Sequence, residues 1–341
     1  MTGAAAGAPV IVIGAGLAGL VAARTLTAHG RPAVVLDRGT VPGGRAATTV
    51  LDDAAADTGA QFFTVRSERF AAQVAAWRDE DCPIREWTRG FWQTATIHDH
   101  PDTATLRDDG HPRYVVDGGM ATLAAHLAAG LDLRLGCEVD TVSPSADGWT
   151  AASGDAVVTG GALLCTGPLP EVAALLTAGH VPLPEAVADV LSRSRYTPCI
   201  ALVAVLDAPP ALPAPGGLQC AGGTITWLAD NAAKGVSPRP CVTIHAGTEW
   251  SARHWRDRDD DIAAELLAAA RGWLGGAAPV TVAVRRWRHA APVSVADERV
   301  LVVSDDPPLL VAGDGCAGPR VEGAVLSGLA AADRLVAAAT A

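Results

Sequence analysis

Val10 to Ile13 are four consecutive apolar residues, followed at once by glycines and then by a stretch whose apolar positions recur at helical spacing. An uninterrupted apolar run of that length suits a parallel strand covered on both faces. Leu17, Leu20, Val21 and Leu26 give the next segment one apolar side, which predicts an amphipathic helix. A second strand, AVVLD, ends on Asp37. The alternation returns further along. Met120, Leu123 and Leu127 mark a helix that leads into a strand through Leu135. Residues 148–167 read as strands and turns, and Leu309 to Ala312 is a strand with a helix from about Val321. Strands alternating with helices predict an α/β fold with a parallel sheet.

The middle of the chain is patterned differently. AAQVAAWRDEDCPIREWTRGFW is helical and then mixed, and LPEAVADVLSRSRYTPCIALVAVLD is a helix, a turn and a β run. ITWLADN, CVTIHAG and TVAVRRWRHA read as strands, with the amphipathic helix DIAAELLAAARGWL before the last of them. The Pro-rich segment 207–217 is a surface loop. No internal repeat is present. These segments predict a second, α+β lobe built on a mixed sheet. The expected domains are therefore discontinuous: 1–75, 112–175 and 291–341 for the nucleotide-binding part, 76–111 and 176–290 for a substrate lobe.

The glycines after the first strand carry chemistry. In GAGLAG (14–19), Gly14 permits the turn, Gly16 lets backbone approach a pyrophosphate, and Gly19 lets the helix pack on the strand. Ala15, Leu17 and Ala18 complete a helix N-terminus whose amides and dipole would face phosphates. Asp37, beside Arg38, lies 23 residues after Gly14, where an acid can accept ribose hydroxyls. Strand, glycines, helix, second strand and acid together define a dinucleotide site. In VPGGRAATT (41–49), Gly43 and Gly44 form a second backbone nest, and Arg45 supplies a cation for the same pyrophosphate. This segment resembles the second fingerprint of the large FAD family that includes amine oxidases, phytoene desaturases and renalases. The resemblance implies a Rossmann-like FAD-binding domain of the p-hydroxybenzoate hydroxylase and amine oxidase type, with FAD held non-covalently.

A second G-x-G-x-x-G lies in AGDGCAG, 312–318. A complete βαβ unit would need a further strand ending in an acid, and Pro319 and Arg320 separate the last glycine from the helix. The segment resembles the closing motif of the same family instead. That implies Gly313 and Asp314 at the ribityl phosphate region, and the helix start at Arg320, Val321, Glu322 and Ala324 directed toward the flavin ring. One dinucleotide is thus gripped by both ends of the chain. The flavin-bearing cysteine of monoamine oxidases lies elsewhere in the motif order, so Cys316 is not expected to carry FAD.

DTGAQFFTVRS (57–67), YVVDGGMATLAAHL, SRYTPCIALVAVL, VTIHAG and RRWRHA occur in the order that resembles the renalase family. The resemblance places Gly59, Ala60, Gln61 and Phe62, with Val139 and the Thr166 of ALLCTG, against the cofactor. It implies oxidation of the 1,2- and 1,6-dihydro isomers of NAD(P)H to NAD(P)+, with oxygen reduced to hydrogen peroxide. Gln61, Asn231, His245, Trp287 and His289 are the candidates to line the substrate ring, although each also suits an ordinary core or strand position. Arg66, Arg195, Arg288 and Arg320 are candidates for the substrate's phosphates, with surface ion pairs as the alternative. Flavin amine oxidases, a rival reading, often use a lysine that reaches the flavin through water. Lys234 is the only lysine here, and its polar turn reads as solvated. A protein that keeps FAD without turnover is the third reading.

Composition narrows these readings. A net charge of −11 disfavours a nucleic-acid surface. Seven scattered cysteines without C-x-x-C spacing disfavour zinc or a disulfide framework, and the histidines of HDH (98–100) read as solvated, so no metal is expected. The leader MTGAAAGAP lacks a positive n-region and no long apolar run follows, so neither membrane attachment nor export is expected and the location is cytoplasmic.

Overall fold

The structure is a computed structural model that describes residues 7–316 and 318–340. Part of the leader and Ala317 of the second glycine motif lie outside the described residues. The chain opens with β1 (Val10–Ile13), α1 (Leu17–Ala28), β2 (Ala33–Leu36), β3 (Thr48–Leu51) and β4 (Ala54–Asp57). Next come α2 (Glu68–Asp79), β5 (Ile84–Thr94), β6 (Thr105–Val116), α3 (Met120–Ala128) and β7 (Asp132–Arg134). They are followed by β8 (Thr141–Ser145), β9 (Gly148–Ser153), β10 (Ala156–Gly160), β11 (Ala162–Cys165), α4 (Leu169–Ala178) and α5 (Glu185–Arg193). The strands β12 (Tyr196–Leu206), β13 (Gly217–Cys220), β14 (Ile225–Asp230) and β15 (Cys241–Ala246) precede α6 (Thr248–Arg253) and α7 (Asp259–Leu274). The chain closes with β16 (Pro279–Pro292), β17 (Leu301–Asp305), β18 (Pro308–Val311) and α8 (Val321–Thr340).

Packing divides the chain into two compact units, Met1–Gly44 with Ala124–Tyr196 and Ala291–Ala341, and Arg45–Leu123 with Thr197–Ala290. Among the described residues, the first unit holds a six-stranded sheet in the order β17-β18-β11-β1-β2-β7. Neighbours from β18 to β7 are parallel, and β17 runs antiparallel at the edge. The central strand β1 is buried as its apolar run requires. α1 and α8 pack together so closely that a side chain at Gly328 would strike the Ala18 carbonyl oxygen.

The second unit is built on a seven-stranded mixed sheet, β16-β12-β15-β14-β13-β5-β6. Its strands have two different faces, because successive side chains point opposite ways. Ile200, Leu202 and Leu206 of β12 join Val242 and Ile244 of β15 against Ile262, Leu266 and Trp273 of α7. Val203 and Val205 face the other way, toward Ala54 and Ala56 of the β3–β4 hairpin. Burial on both faces explains why β12 reads as an unbroken apolar run.

Three segments group differently from the sequence expectation. Residues 45–75 go with the second unit, because the β3–β4 hairpin covers its sheet. Residues 112–123 do so too, since β6 is the edge strand of that sheet. Residues 176–196 go with the first, where α5 adds Val187 and Leu191 to the core.

Candidate functional site

In the first unit the two glycine loops form one wall of backbone. Gly14 has φ 109°, and a Cβ there would lie 2.6 Å from the Thr166 hydroxyl, which itself donates to the carbonyls of Ile13 and Gly14. A side chain at Gly19 would run into the Gly14 carbonyl oxygen, so only glycine lets α1 start this close to β1. Gly43 donates its N–H to the Ala15 carbonyl at 2.8 Å, and Gly16 and Gly43 form a parallel bridge. A Cβ on Gly16 would meet nothing within 4 Å. α1 has no side-chain cap and no acid in its first turn. An open, uncapped helix start beside a glycine nest is a cradle for an anion.

Asp37 follows the last residue of β2 next to this cradle. Its two oxygens accept 2.6 Å hydrogen bonds from the N–H groups of Ala15 and Gly39, which fix the carboxylate and leave further lone pairs for hydroxyl donors. Arg38 points to Glu171 at 3.0 Å. Val139 packs against the first unit's core. At the other end of the chain, Gly313 donates to Ser327 of α8 at 2.8 Å, and buried Asp314 accepts from the Tyr196 hydroxyl at 3.2 Å. Arg320 is exposed and its carbonyl caps α8 through Ala324; Val321 is half-buried and Glu322 buried. Burial pushes the thiols of Cys165 and Cys316 up to about 12, so neither is a nucleophilic thiolate.

The second unit carries a buried polar cluster on the hairpin side of its sheet. Lys234 and Asp57, both inaccessible, form an ion pair of 2.6 Å, and the ammonium lies 3.4 Å from Gln61 Oε1. The solvated reading of Lys234 is thus overturned. Its turn is polar in sequence, but Lys234 N–H bonds back to the Asp230 carbonyl, and the side chain is carried inward to a carboxylate 177 residues away. Burial pushes the Lys234 pKa down, against the opposing pull of Asp57.

The Thr58 carbonyl collects two donors of the cluster, His245 Nε2 at 3.1 Å and Trp287 Nε1 at 2.9 Å. Burial, with Lys234 adding to it, pushes the His245 pKa down to about 4, so the imidazole is neutral at pH 7. Gln61 turns its amide onto the carbonyls of Asp57 and Gly59. Asn231 is fully buried; its amide nitrogen donates to Thr243 Oγ1 at 2.9 Å, while Oδ1 has no partner among the described residues. Ala60 N–H bonds to the Arg45 carbonyl, and the Arg45 guanidinium reaches the carbonyls of His289 and Ala290. Phe62 packs among Trp87, Phe91 and Trp227, with ring centroids 5.0–6.3 Å apart.

The structure therefore brings Gln61, His245 and Trp287 together around residues 57–61, with Asn231 one residue pair further along. Arg288 faces the opposite side of the sheet, and Arg66 and Arg195 are exposed. Asp57, Lys234, Thr243 and Tyr196 had not been singled out as site residues. The signal for Lys234 was its singularity in a chain whose other 25 Lys-or-Arg cations are all arginine.

Cradle and fold together define a dinucleotide-binding oxidoreductase with a separate polar-lined unit. Residues 12–76 match the model of the NAD(P)-binding Rossmann-like domain, and residues 69–336 match that of the flavin containing amine oxidoreductases. The chain belongs to the flavin-containing amine oxidoreductase family. Its fold is shared with a putrescine oxidase (TM-score 0.73, 16% identity, covering 97% of this chain and 99% of that one). A putative protoporphyrinogen oxidase from Exiguobacterium (0.75, 14%, 98% and 100%) and a cyclohexylamine oxidase from Brevibacterium oxydans (0.74, 13%, 97% and 99%) are similar. The cofactor is FAD, held non-covalently, and the open Gly16 cradle fits its pyrophosphate. No helix among the described residues is long and apolar enough to cross a membrane.

Four outcomes follow from this geometry. Gly16→Ala adds a methyl into open space, so the apoprotein should keep its stability within about 1 kcal/mol while FAD affinity falls at least about tenfold. Gly19→Ala should lower stability itself, which urea unfolding and flavin content distinguish. Lys234→Met leaves the Asp57 charge buried without its cation and should cost about 3–5 kcal/mol in urea unfolding; an unchanged midpoint would refute the pairing. An unfolded histidine binds its proton near pH 6.5, whereas folded His245 resists until about 4. Stability should therefore fall as pH drops through that window, and His245→Gln should flatten the fall.

Proposed function

We propose that the protein is an FAD-dependent oxidase for misreduced dihydronicotinamides, the 1,2- and 1,6-dihydro isomers of NAD(P)H, with oxygen as acceptor and NAD(P)+ and hydrogen peroxide as products. The observation that carries this reading is the electrostatic quietness of the second unit's cluster. His245 is neutral, Lys234 is matched by Asp57, and Gln61 and Trp287 donate to carbonyls. With its pKa at about 4, His245 is a weak base, and neither the Gln61 amide nor the Trp287 indole can serve as one. A dihydropyridine is already a neutral hydride donor and regains aromaticity on oxidation, so its C–H bond needs no base. FAD, when bound, supplies the hydride acceptor and the route to oxygen.

The chain's own contribution is binding and orientation. Gly16, Gly43 and Gly44 present backbone to the cofactor's pyrophosphate, Gly14 and Gly19 shape the turn and helix behind it, and Asp37 turns its carboxylate to the ribose. Asp314 and the start of α8 serve the ribityl end. In the second unit, Gln61, His245 and Trp287 orient a planar amide-bearing ring, with Asn231 in the turn after β14 and His289 on β16 completing its lining. Holding a ring at near-attack distance supplies most of what such a reaction requires.

Amine oxidation is the second reading. It is favoured by the buried position of Lys234 in this cluster and by the printed identities of the putrescine and cyclohexylamine oxidases. Anaerobic mixing separates the two. The FAD-loaded protein should lose its flavin absorbance within seconds on addition of 1,2- or 1,6-dihydro-NAD(P), and far more slowly with 1,4-NAD(P)H. Bleaching by putrescine or cyclohexylamine alone would establish the second reading, and silence toward every donor would defeat both.

A further inference from the structure

The second unit has a cavity of about 390 Å³ on the sheet face opposite the polar cluster. It is lined by Pro198 of β12, Arg288 of β16, and Ala252, Arg253, Trp255 and Arg256 at the end of α6 and just after it. The separation of faces follows from strand geometry. Trp287 points to the Thr58 carbonyl, so its neighbour Arg288 points the other way, where its guanidinium lies 5.5 Å from the Trp255 ring centroid.

The charges around this cavity are unbalanced. Asp259 pairs with Arg286 at 2.6 Å, Asp257 with His254 at 2.7 Å and Asp260 with Arg258 at 3.4 Å, while Glu249, one turn before Arg253 on α6, forms no ion pair with it among the described residues. Arg286 also donates to the carbonyls of Trp255 and Asp257, which fixes the loop between α6 and α7. Arg253, Arg256 and Arg288 have no carboxylate partner among the described residues, and Arg253 makes only a 3.4 Å bond to the Glu249 carbonyl. Three unmatched guanidinium groups thus converge on one hollow of a protein whose net charge is −11. Guanidinium forks suit the tetrahedral oxygens of a phosphate, and a half-buried indole beside them suits a planar ring. The volume is at the lower end of small-molecule sites and accommodates a mononucleotide.

We propose that this hollow binds a phosphate ester of mononucleotide size, at a site separate from the FAD cradle and independent of the substrate assigned above. The test uses the FAD-loaded protein, so that the dinucleotide site is filled, and calorimetric titration with 5′-AMP, inorganic phosphate and adenosine. 5′-AMP should bind, and raising the salt should weaken it. Inorganic phosphate should compete, and adenosine should not bind. If phosphate binds as tightly as 5′-AMP, the ring-stacking part of the proposal is wrong and the site is for the anion alone. Arg256→Gln and Arg288→Gln should each weaken 5′-AMP at least about tenfold, with flavin content and melting temperature unchanged. Arg258→Gln, outside the cavity, should have no effect. No heat of binding at millimolar 5′-AMP, or binding that survives the Arg253→Gln, Arg256→Gln, Arg288→Gln triple change, would overturn the proposal.

Discussion

One buried carboxylate organises the second unit. Asp57 Oδ2 takes the Lys234 ammonium, while Oδ1 takes the Thr48 hydroxyl and the Met120 N–H at the start of α3, each at 2.7 Å. Its own carbonyl accepts from Gln61 and Thr243. Five residues meet at Asp57, three of them (Met120, Lys234 and Thr243) from parts of the chain distant in sequence. A charge removed from water at this depth is tolerable only when geometry and hydrogen bonds match it closely. The constraint therefore runs outward: the hairpin, the 57–61 segment and the turn after β14 have to take up positions that satisfy Asp57. The Thr58 carbonyl, held at the end of that chain of constraints, then sets where His245 and Trp287 point.

The first unit obeys a constraint of the opposite kind, which is the absence of side chains. Gly14 and Gly19 let β1, α1 and the Thr166 hydroxyl come within contact, and Gly16 leaves the adjoining space empty. This part was legible in the sequence because each requirement is local. A turn, a helix start and an acid at the end of the next strand occur within three dozen residues. The second glycine motif was legible for the same reason: Pro319 and Arg320 break the continuity a dinucleotide loop requires, and the loop ends in a helix that packs on α1.

What the sequence concealed was non-local. The turn that carries Lys234 has the composition of a surface turn, and nothing within ten residues indicates that its ammonium meets a carboxylate near the start of the chain. The same holds for Tyr196, whose hydroxyl reaches Asp314 from a strand that otherwise reads as plain β. The unit boundaries at 45 and 112 also depend on pairing. The β3–β4 hairpin and β6 follow the nucleotide loop in sequence, yet they bury their surface on the other sheet. Candidate residues such as His245 and Trp287 could be named from pattern and resemblance, but their common acceptor could not.

The alternation along β16 shows how a single strand can serve two chemistries. Trp287 gives an indole N–H to the Thr58 carbonyl on the hairpin side, where Lys234 is matched by Asp57. Arg286 and Arg288 emerge on the helix side, where one guanidinium is saturated by Asp259 and two carbonyls and the other is left facing a hollow. Arg285 shares the Trp287 face, where its guanidinium lies 4.9 Å from the indole centroid, so each face of the strand sets a cation against an indole. The alternation along β16 thus decides which carbonyls and rings each of its cations meets, while the start of the strand stays exposed at Val280 and Val282.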